Sequence, residues 1–317
     1  MPGADAQPAD LPPLPPRDPA GHKGTFGTVC ILGGCAGSTR MIGAPTLAAI
    51  AALRAGAGLA RLMVPAPILN AAIAIAPSAT GLALPVDDEG LLIASDACAG
   101  IDAHAETCRC LVVGPGLGVS DGTRAAALRA IQQERTHVVL DADAINALAD
   151  LPELVRDFRA PVVLTPHPGE FRRLARGLSI SLDPTSEGER PGAAEALAQR
   201  LGCVVVLKGA GSVVADGHRT WINPSGHPCL ATAGTGDVLS GLIAGLICQF
   251  VPDPDAPQRT PEHDPSRPLD LFDAARLGVH IHGLAGQRWA SAHHAQGGLL
   301  ATELADLIPT LIDDARR

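Results

Sequence analysis

Two short runs, 136-THVVLDAD-143 and 161-PVVLTPH-167, decide the fold. Each gathers β-branched residues and then stops at Asp or Pro, with a helical stretch around Ile145 and Leu148 between them. Strands buried on both faces of a parallel sheet read as such unbroken apolar runs. Outward from this pair the pattern repeats in 28-TVCILGG, 59-LARLMVP, 111-LVVGPG and 203-CVVVLKG. Helical stretches alternate with them: 46-TLAAIAALRAG, 123-TRAAALRAIQQE and 192-GAAEALAQRL. The alternation predicts βαβ units and a mainly parallel sheet covered by helices. Ligands of such sheets collect at the carboxyl ends of the strands, so the Gly-, Pro- and Asp-rich exits are where a site is expected.

Farther on, 211-GSVVADGHRTWINPSG predicts a hairpin turning at Asp216-Gly217. The Pro- and Asp-rich segment 251–270 predicts a surface loop, followed by helices in 271-LFDAARLGVHIHGLAGQRWA and 299-LLATELADLIPTL. No internal repeat or linker divides the chain, so residues 21–317 are expected to form a single domain. Residues 1–20, rich in Pro and Ala, are expected to be a disordered or extended lead-in and carry no signal-peptide core.

Composition narrows the classes. Of 317 residues, 46% are hydrophobic but only 2% aromatic, with no Tyr, so the core must be aliphatic and an aromatic platform for single strands is excluded. A formal charge of −9 without a basic block argues against nonspecific nucleic-acid or anionic-membrane binding. The uncharged run from Leu62 to Val86 is broken by Pro65, Pro67, Pro77 and Pro85 and is no ordinary spanning helix. Eight cysteines lack any Cys-x-x-Cys pair, which suits free thiols in a reducing, cytoplasmic setting.

Four strand exits and one helix entrance carry polar groups suited to chemistry. In 231-ATAGTGDVLSGLIAGL-246, Gly234 and Gly236 allow backbone N–H groups to converge on an anion at a helix start. Asp237 there is either a base for an attacking hydroxyl or a helix cap. Gly241 and Gly245 suggest a buried helix approached closely by a neighbour. Lys208 in 207-LKGAGS-212 is placed to meet a phosphate or merely to begin a turn. In 165-TPHPGEF-171, His167 is set at a stiff exit and Glu170 suits metal-bound water or a helix cap. The turn 112-VVGPGLG-118 and the loop 33-GGCAGSTRMIGA-44 permit close approach of a substrate. Asp143 is expected to cap the following helix, and Asp141 is left between ligation and structure. His280 and His282 point different ways on a helix and make a poor metal pair, while His293-His294 suits a solvated helix end.

Taken in order, these segments resemble the ADP-dependent NAD(P)H-hydrate dehydratase family of the ribokinase-like superfamily. The resemblance runs through 22-HKGTFGTVCILGG, 53-LRAGAG, 112-VVGPGLG, 139-VLDADAINAL, 164-LTPHPGEF, 207-LKGAGS and 231-ATAGTGDVLSGLIAG, with 278-GVHIHGLAG and 298-GLLATEL beyond. It implies a three-layer α/β/α fold and repair of the hydrated cofactors NADHX and NADPHX. ADP would phosphorylate the hydrate's hydroxyl, and loss of phosphate would return NAD(P)H with AMP, magnesium assisting. Matching positions imply hydrate contacts at Ala44, Gly118, His167 and Asp237, and nucleotide contacts at Lys208, Gly209, Ala210, Gly211, Ser212 and Gly236. Asp237 would be the base, with the amides of Ala233, Gly234, Thr235 and Gly236 as an anion hole. The resemblance also implies a homotetramer and a separate hydrate epimerase. Ser212 stands where Thr is frequent, and Cys229-Leu230 where Gly-Met is frequent. A ribokinase-like kinase of a small alcohol such as hydroxyethylthiazole, or a noncatalytic nucleotide sensor, is the alternative; the TPHPGE and GPGLG loops favour the dehydratase.

Overall fold

The β-branched runs become strands because each can bury both faces between helical layers. The computed structural model describes residues 8, 10–151, 158–254 and 269–316. Its strands are β1 (Thr28–Leu32), β2 (Leu59–Pro65), β3 (Thr80–Leu84), β4 (Cys110–Val113), β5 (His137–Leu140), β6 (Val162–Leu164), β7 (Val204–Leu207), β8 (Val213–Ala215) and β9 (Thr220–Ile222). They form one sheet in the order β3-β2-β1-β4-β5-β6-β7-β8-β9. Pairing is parallel from β3 to β7, and the β8–β9 hairpin closes one edge antiparallel. The strand order reverses between β1 and β4, the topology that opens a crevice at the strand exits.

Side chains alternate across the sheet with the period of two expected of strands. Val29 and Ile31 enter one core, Cys30 and Leu32 the other. The first core lies under α1 (Gly43–Arg54), α2 (Leu69–Ile75), α8 (Thr235–Phe250), α9 (Leu271–His293) and α10 (Ala301–Asp314). The second lies under α3 (Ala94–Ala105), α4 (Asp121–Ile131), α5 (Asp143–Ala149), α6 (Pro168–Gly177) and α7 (Arg190–Leu201). The result is the three-layer α/β/α architecture.

In α8, Gly241 and Gly245 have the role expected of them. A Cβ on Gly241 would fall 2.1 Å from the Ala48 carbonyl oxygen, and one on Gly245 would fall 2.8 Å from that of Ala52. Only α-carbons without a Cβ let α1 and α8 approach so closely. The constant offset between these pairs makes the two helices parallel.

One expectation changes and others stand. The uncharged run Leu62–Val86 is divided among β2, a 3-10 turn, α2 and β3, and among the described residues no helix is long and apolar enough to cross a membrane. The ordered chain starts before Gly21: Leu11 and Leu14 are 5% and 2% exposed in the first core, and the Leu14 amide donates to Ala315 O at 2.9 Å. Burial of these two leucines anchors a segment whose Pro content suggested only an extended lead-in. Of the expected 251–270 loop, residues 255–268 lie outside the described residues. All eight cysteines are free thiols, and all but Cys98 are buried.

Candidate active site

Where β5 and β7 end, two charges meet. The Asp141 carboxylate, 2% exposed, accepts from Lys208 Nζ at 2.8 Å and from Thr165 Oγ1 at 2.8 Å, and its other oxygen accepts from the Ser240 hydroxyl. Burial alone would raise its pKa, but the Lys208 charge and these three donors hold it below the ordinary carboxylate value. Lys208 is likewise pulled down by burial and more than restored by Asp141, Glu170 and Asp237, so it stays charged. Asp141, undecided in sequence, is therefore the fixed counter-ion of Lys208. No local pattern reveals this, because Lys208 and Ser240 lie 67 and 99 residues away.

Asp237 is built differently. The helix cap is Gly234, at φ +89°, which leaves Asp237 in the first turn with no capping hydrogen bond. Val238 N makes the first helical bond, to Gly234 O at 3.1 Å, and of the amides before it, which a helix leaves unpaired, Thr235 N donates weakly to Thr232 O at 3.4 Å. The Gly236 and Asp237 amides remain for an anion, at the positive end of the helix dipole. The Asp237 carboxylate has no hydrogen-bond or ion-pair partner among the described residues. Burial and the nearby Asp141 charge raise its pKa to about 7, against the pull of Lys208 and with a further push from Asp143. It is a half-buried carboxylate poised to take a proton. The offset that pairs Gly241 with Ala48 sets Ala44, one turn earlier in α1, level with Asp237.

Beside this helix start lies a cavity of about 590 Å³ lined by residues 208–212 and 223–228, with Thr235, Gly236, Leu239, Val279, His282 and Gly283. All six expected nucleotide positions, Lys208, Gly209, Ala210, Gly211, Ser212 and Gly236, are on its wall. Gly209 and Gly211 sit at φ +149° and +61°, where a side chain would be strained. The Ser212 hydroxyl closes the turn on Gly209 O at 2.9 Å, the bond that a Thr would also make. Thr235 and Gly236 of the expected anion hole line the same cavity, while Ala233 and Gly234 lead into it without lining it. His282, kept neutral by burial with a pKa near 4, donates Nε2–H to Thr235 O at 2.9 Å and steadies the helix start. Asn223 to His227 and His282 were not expected here; the Asn-Pro-Ser-Gly ending of the hairpin was the available signal.

Of the remaining expected residues, Ala44 and Gly118 lie on the other side of the β5 exit, while His167 follows β6, between β5 and β7. His167 caps α6: its Nδ1 accepts from Gly169 N at 2.9 Å, and Glu170 Oε2 accepts from His167 N at 2.7 Å. That arrangement keeps the imidazole half-exposed with Nε2 3.4 Å from Glu170 Oε1. Burial and the Lys208 charge lower its pKa. Glu170, 4% exposed and 3.9 Å from Lys208, is raised by burial to about 7. Gly118, at φ +69°, ends the glycine turn after β4, and Ala44 packs on the same turn through Gly116. Asp143 is not a cap: Ala142, at φ +48°, occupies the capping position, and Asp143 begins α5 one residue too late to cap it. Its carboxylate instead accepts from Gly118 N at 2.8 Å.

A mostly parallel sheet between two helical layers, with a lysine and an unpartnered aspartate at one strand-exit crevice, is the ribokinase-like fold. The family model for NAD(P)H-hydrate dehydratase matches residues 29–310, and the chain belongs to that family. It is 40% identical over 304 residues to the bifunctional NAD(P)H-hydrate repair enzyme of Salinibacter ruber, covering 93% of this chain and 50% of that one. The chain thus spans about half the length of the first curated relatives it matches. It is also 34% identical to the ADP-dependent (S)-NAD(P)H-hydrate dehydratase of Bacillus subtilis, covering 93% of this chain and 92% of that one. The B. subtilis ADP/ATP-dependent NAD(P)H-hydrate dehydratase, co-crystallized with ATP/Mg2+, superposes with a TM-score of 0.75 at 29% identity over 97% of this chain and all of that one. A ribokinase-like superfamily protein of Enterococcus faecalis shares the fold, with a TM-score of 0.71 at 21% identity over 96% and 92% of the two chains.

Proposed function

We propose that this chain dehydrates NADHX and NADPHX with ADP as phosphoryl donor, returning NADH or NADPH, AMP and phosphate. One observation carries the reading: the unpartnered Asp237 carboxylate stands at a helix start beside Lys208 and the cavity. ADP occupies the cavity with its phosphates toward Lys208 and Gly236, and the hydrate lies across Ala44, Gly118 and His167. Asp237 accepts the hydroxyl proton as the oxygen bonds to the terminal phosphorus and AMP leaves with the electron pair of the broken P–O bond. Lys208 and the amides of Gly236 and Asp237, rather than the whole of 233–236, carry the charge that develops on the phosphoryl oxygens. Phosphate then departs with the C–O electron pair, and loss of a ring proton restores the dihydronicotinamide.

Magnesium is expected with the nucleotide. Among the described residues no group of three or more His, Cys, Asp or Glu is placed to hold a metal ion, and Asp141 is already saturated by its donors. We infer that the ion arrives on the nucleotide's phosphates, since magnesium is commonly held by one or two carboxylates together with substrate phosphates. A cytoplasmic setting accords with eight free thiols. A hydrate epimerase is the expected pathway partner.

The test is incubation of the purified protein with NADHX and ADP, following NADH absorbance and AMP together. Stoichiometric appearance of both is expected. A phosphorylated hydrate without NADH would reduce the activity to a kinase, and no turnover at all would leave only a nucleotide-binding protein.

A further inference from the structure

The two peptide groups that flank Gly118 are each held by a side chain. Its N–H donates to Asp143 Oδ2 at 2.8 Å, and its carbonyl accepts from Thr123 Oγ1 at 2.7 Å. Thr123 is fully buried in the first turn of α4, where its own amide donates to the Ser120 cap at 3.1 Å. Asp143 is supported in turn: Asn146 Nδ2 donates to its Oδ1 at 3.4 Å, and Arg173 Nη1 of α6 donates to Asn146 Oδ1 at 2.7 Å. Three helices therefore grip the two peptides on either side of one glycine. The turn needs such a grip: Gly114, Gly116 and Gly118 sit at φ +126°, +66° and +69°, so it carries little conformational preference of its own.

The grip does no other visible work. Asp143 does not cap α5, and Ser120, not Thr123, caps α4. A Cβ on Gly118 would make only ordinary contacts, with Cys35 Sγ at 3.5 Å and Met41 Cε at 4.0 Å, both from the loop that leads into α1 and Ala44. We infer that Asp143 and Thr123 are positioning residues for the hydrate: they fix the two peptide groups flanking Gly118, against which the substrate lies, with Asn146 and Arg173 bracing Asp143. This rests on the assignment of Gly118 to the hydrate half of the site.

The experiment compares Asp143→Ala and Thr123→Val, which delete the bonds, with Asp143→Asn and Thr123→Ser, which keep an oxygen at each place. Asp143→Ala and Thr123→Val should each raise KM for NADHX about tenfold, the size of a lost buried hydrogen bond. KM for ADP should stay within about twofold, and the Asn and Ser variants should recover most of the loss. An unchanged KM for the hydrate, an equal rise in KM for ADP, or no recovery in the conservative variants overturns the assignment. Hydrogen exchange in peptides covering 112–120 reads the clamp without substrate. Exchange of the Gly118 amide should quicken about tenfold in Asp143→Ala. If wild-type protein fails to turn over NADHX while this exchange quickens, the proposed reaction is wrong but the clamp stands; unchanged exchange removes the clamp whatever the reaction.

Discussion

The two halves of the site diverge at β5, where Asp141 and Asp143 leave one strand in opposite senses. Asp141 is buried and neutralised by Lys208, beside the cavity proposed for the nucleotide. Asp143 is half-buried and binds a backbone amide of the turn proposed for the hydrate. In the proposed reaction the donor side needs a fixed charge close to a migrating phosphoryl group. The acceptor side needs a fixed surface on which one hydroxyl reaches Asp237. Ala142 makes the divergence possible, with φ +48° and ψ −114° where a side chain is strained.

The largest expected effect is at the junction of the halves. Asp237→Asn should lower kcat about 10³-fold with the fold intact, since the amide cannot take the proton. Activity within tenfold of wild type would remove Asp237 as the base. Next, Asp141→Ala should cost about 3–5 kcal/mol in urea unfolding, because it strands a buried ammonium. Asp143→Ala should cost far less, as only a hydrogen bond is lost. Equal losses would erase the contrast drawn between the two aspartates.

The pH profile sharpens it further. Asp237 must be ionised to act, so kcat/KM should fall as pH drops below about 7. In Asp143→Asn that limb should move to lower pH, because one of the charges raising Asp237 is gone. A limb that stays in place would uncouple the halves electrostatically. Stability carries the opposite sign. The folded pKa of about 7 exceeds the ordinary 3.8, so the stability from this group is full below about pH 4 and lost as pH rises through 7. Asp237→Asn should therefore raise the melting temperature at pH 8 and not at pH 3.5. The smallest effect is at Ala142→Gly, where relief of backbone strain outweighs the flexibility added to the unfolded chain, a net gain of about 1 kcal/mol. A loss instead would mean that the divergence of Asp141 and Asp143 is not strained.

Most strands were legible, since β1, β2 and β4 to β7 are β-branched runs with abrupt ends. β3 was not: Thr80–Leu84 contains Gly81 and Ala83 and lies exposed at a sheet edge, so no core imposes a pattern on it. α3, in 94-ASDACAGIDAHA, hides for a related reason, burying only Ala97, Ile101 and Ala105. In the site, the loops of Lys208 and Asp237 announce themselves because glycine must stand where backbone meets a ligand. What stayed hidden was pairing. Lys208 with Asp141, Ser240 with Asp141, and Gly118 with Asp143 depend on how strand exits converge. Asp143 misled by a single residue, since a cap and the first helical position look alike in sequence.

The close contact of α1 and α8 has a mechanical meaning. α1 begins at Gly43 and α8 just before Asp237, and the Gly241 contact with the Ala48 carbonyl works like a tooth in a notch. Sliding one helix along the other would drive backbone into backbone. The proposed base is therefore locked in register with the start of α1.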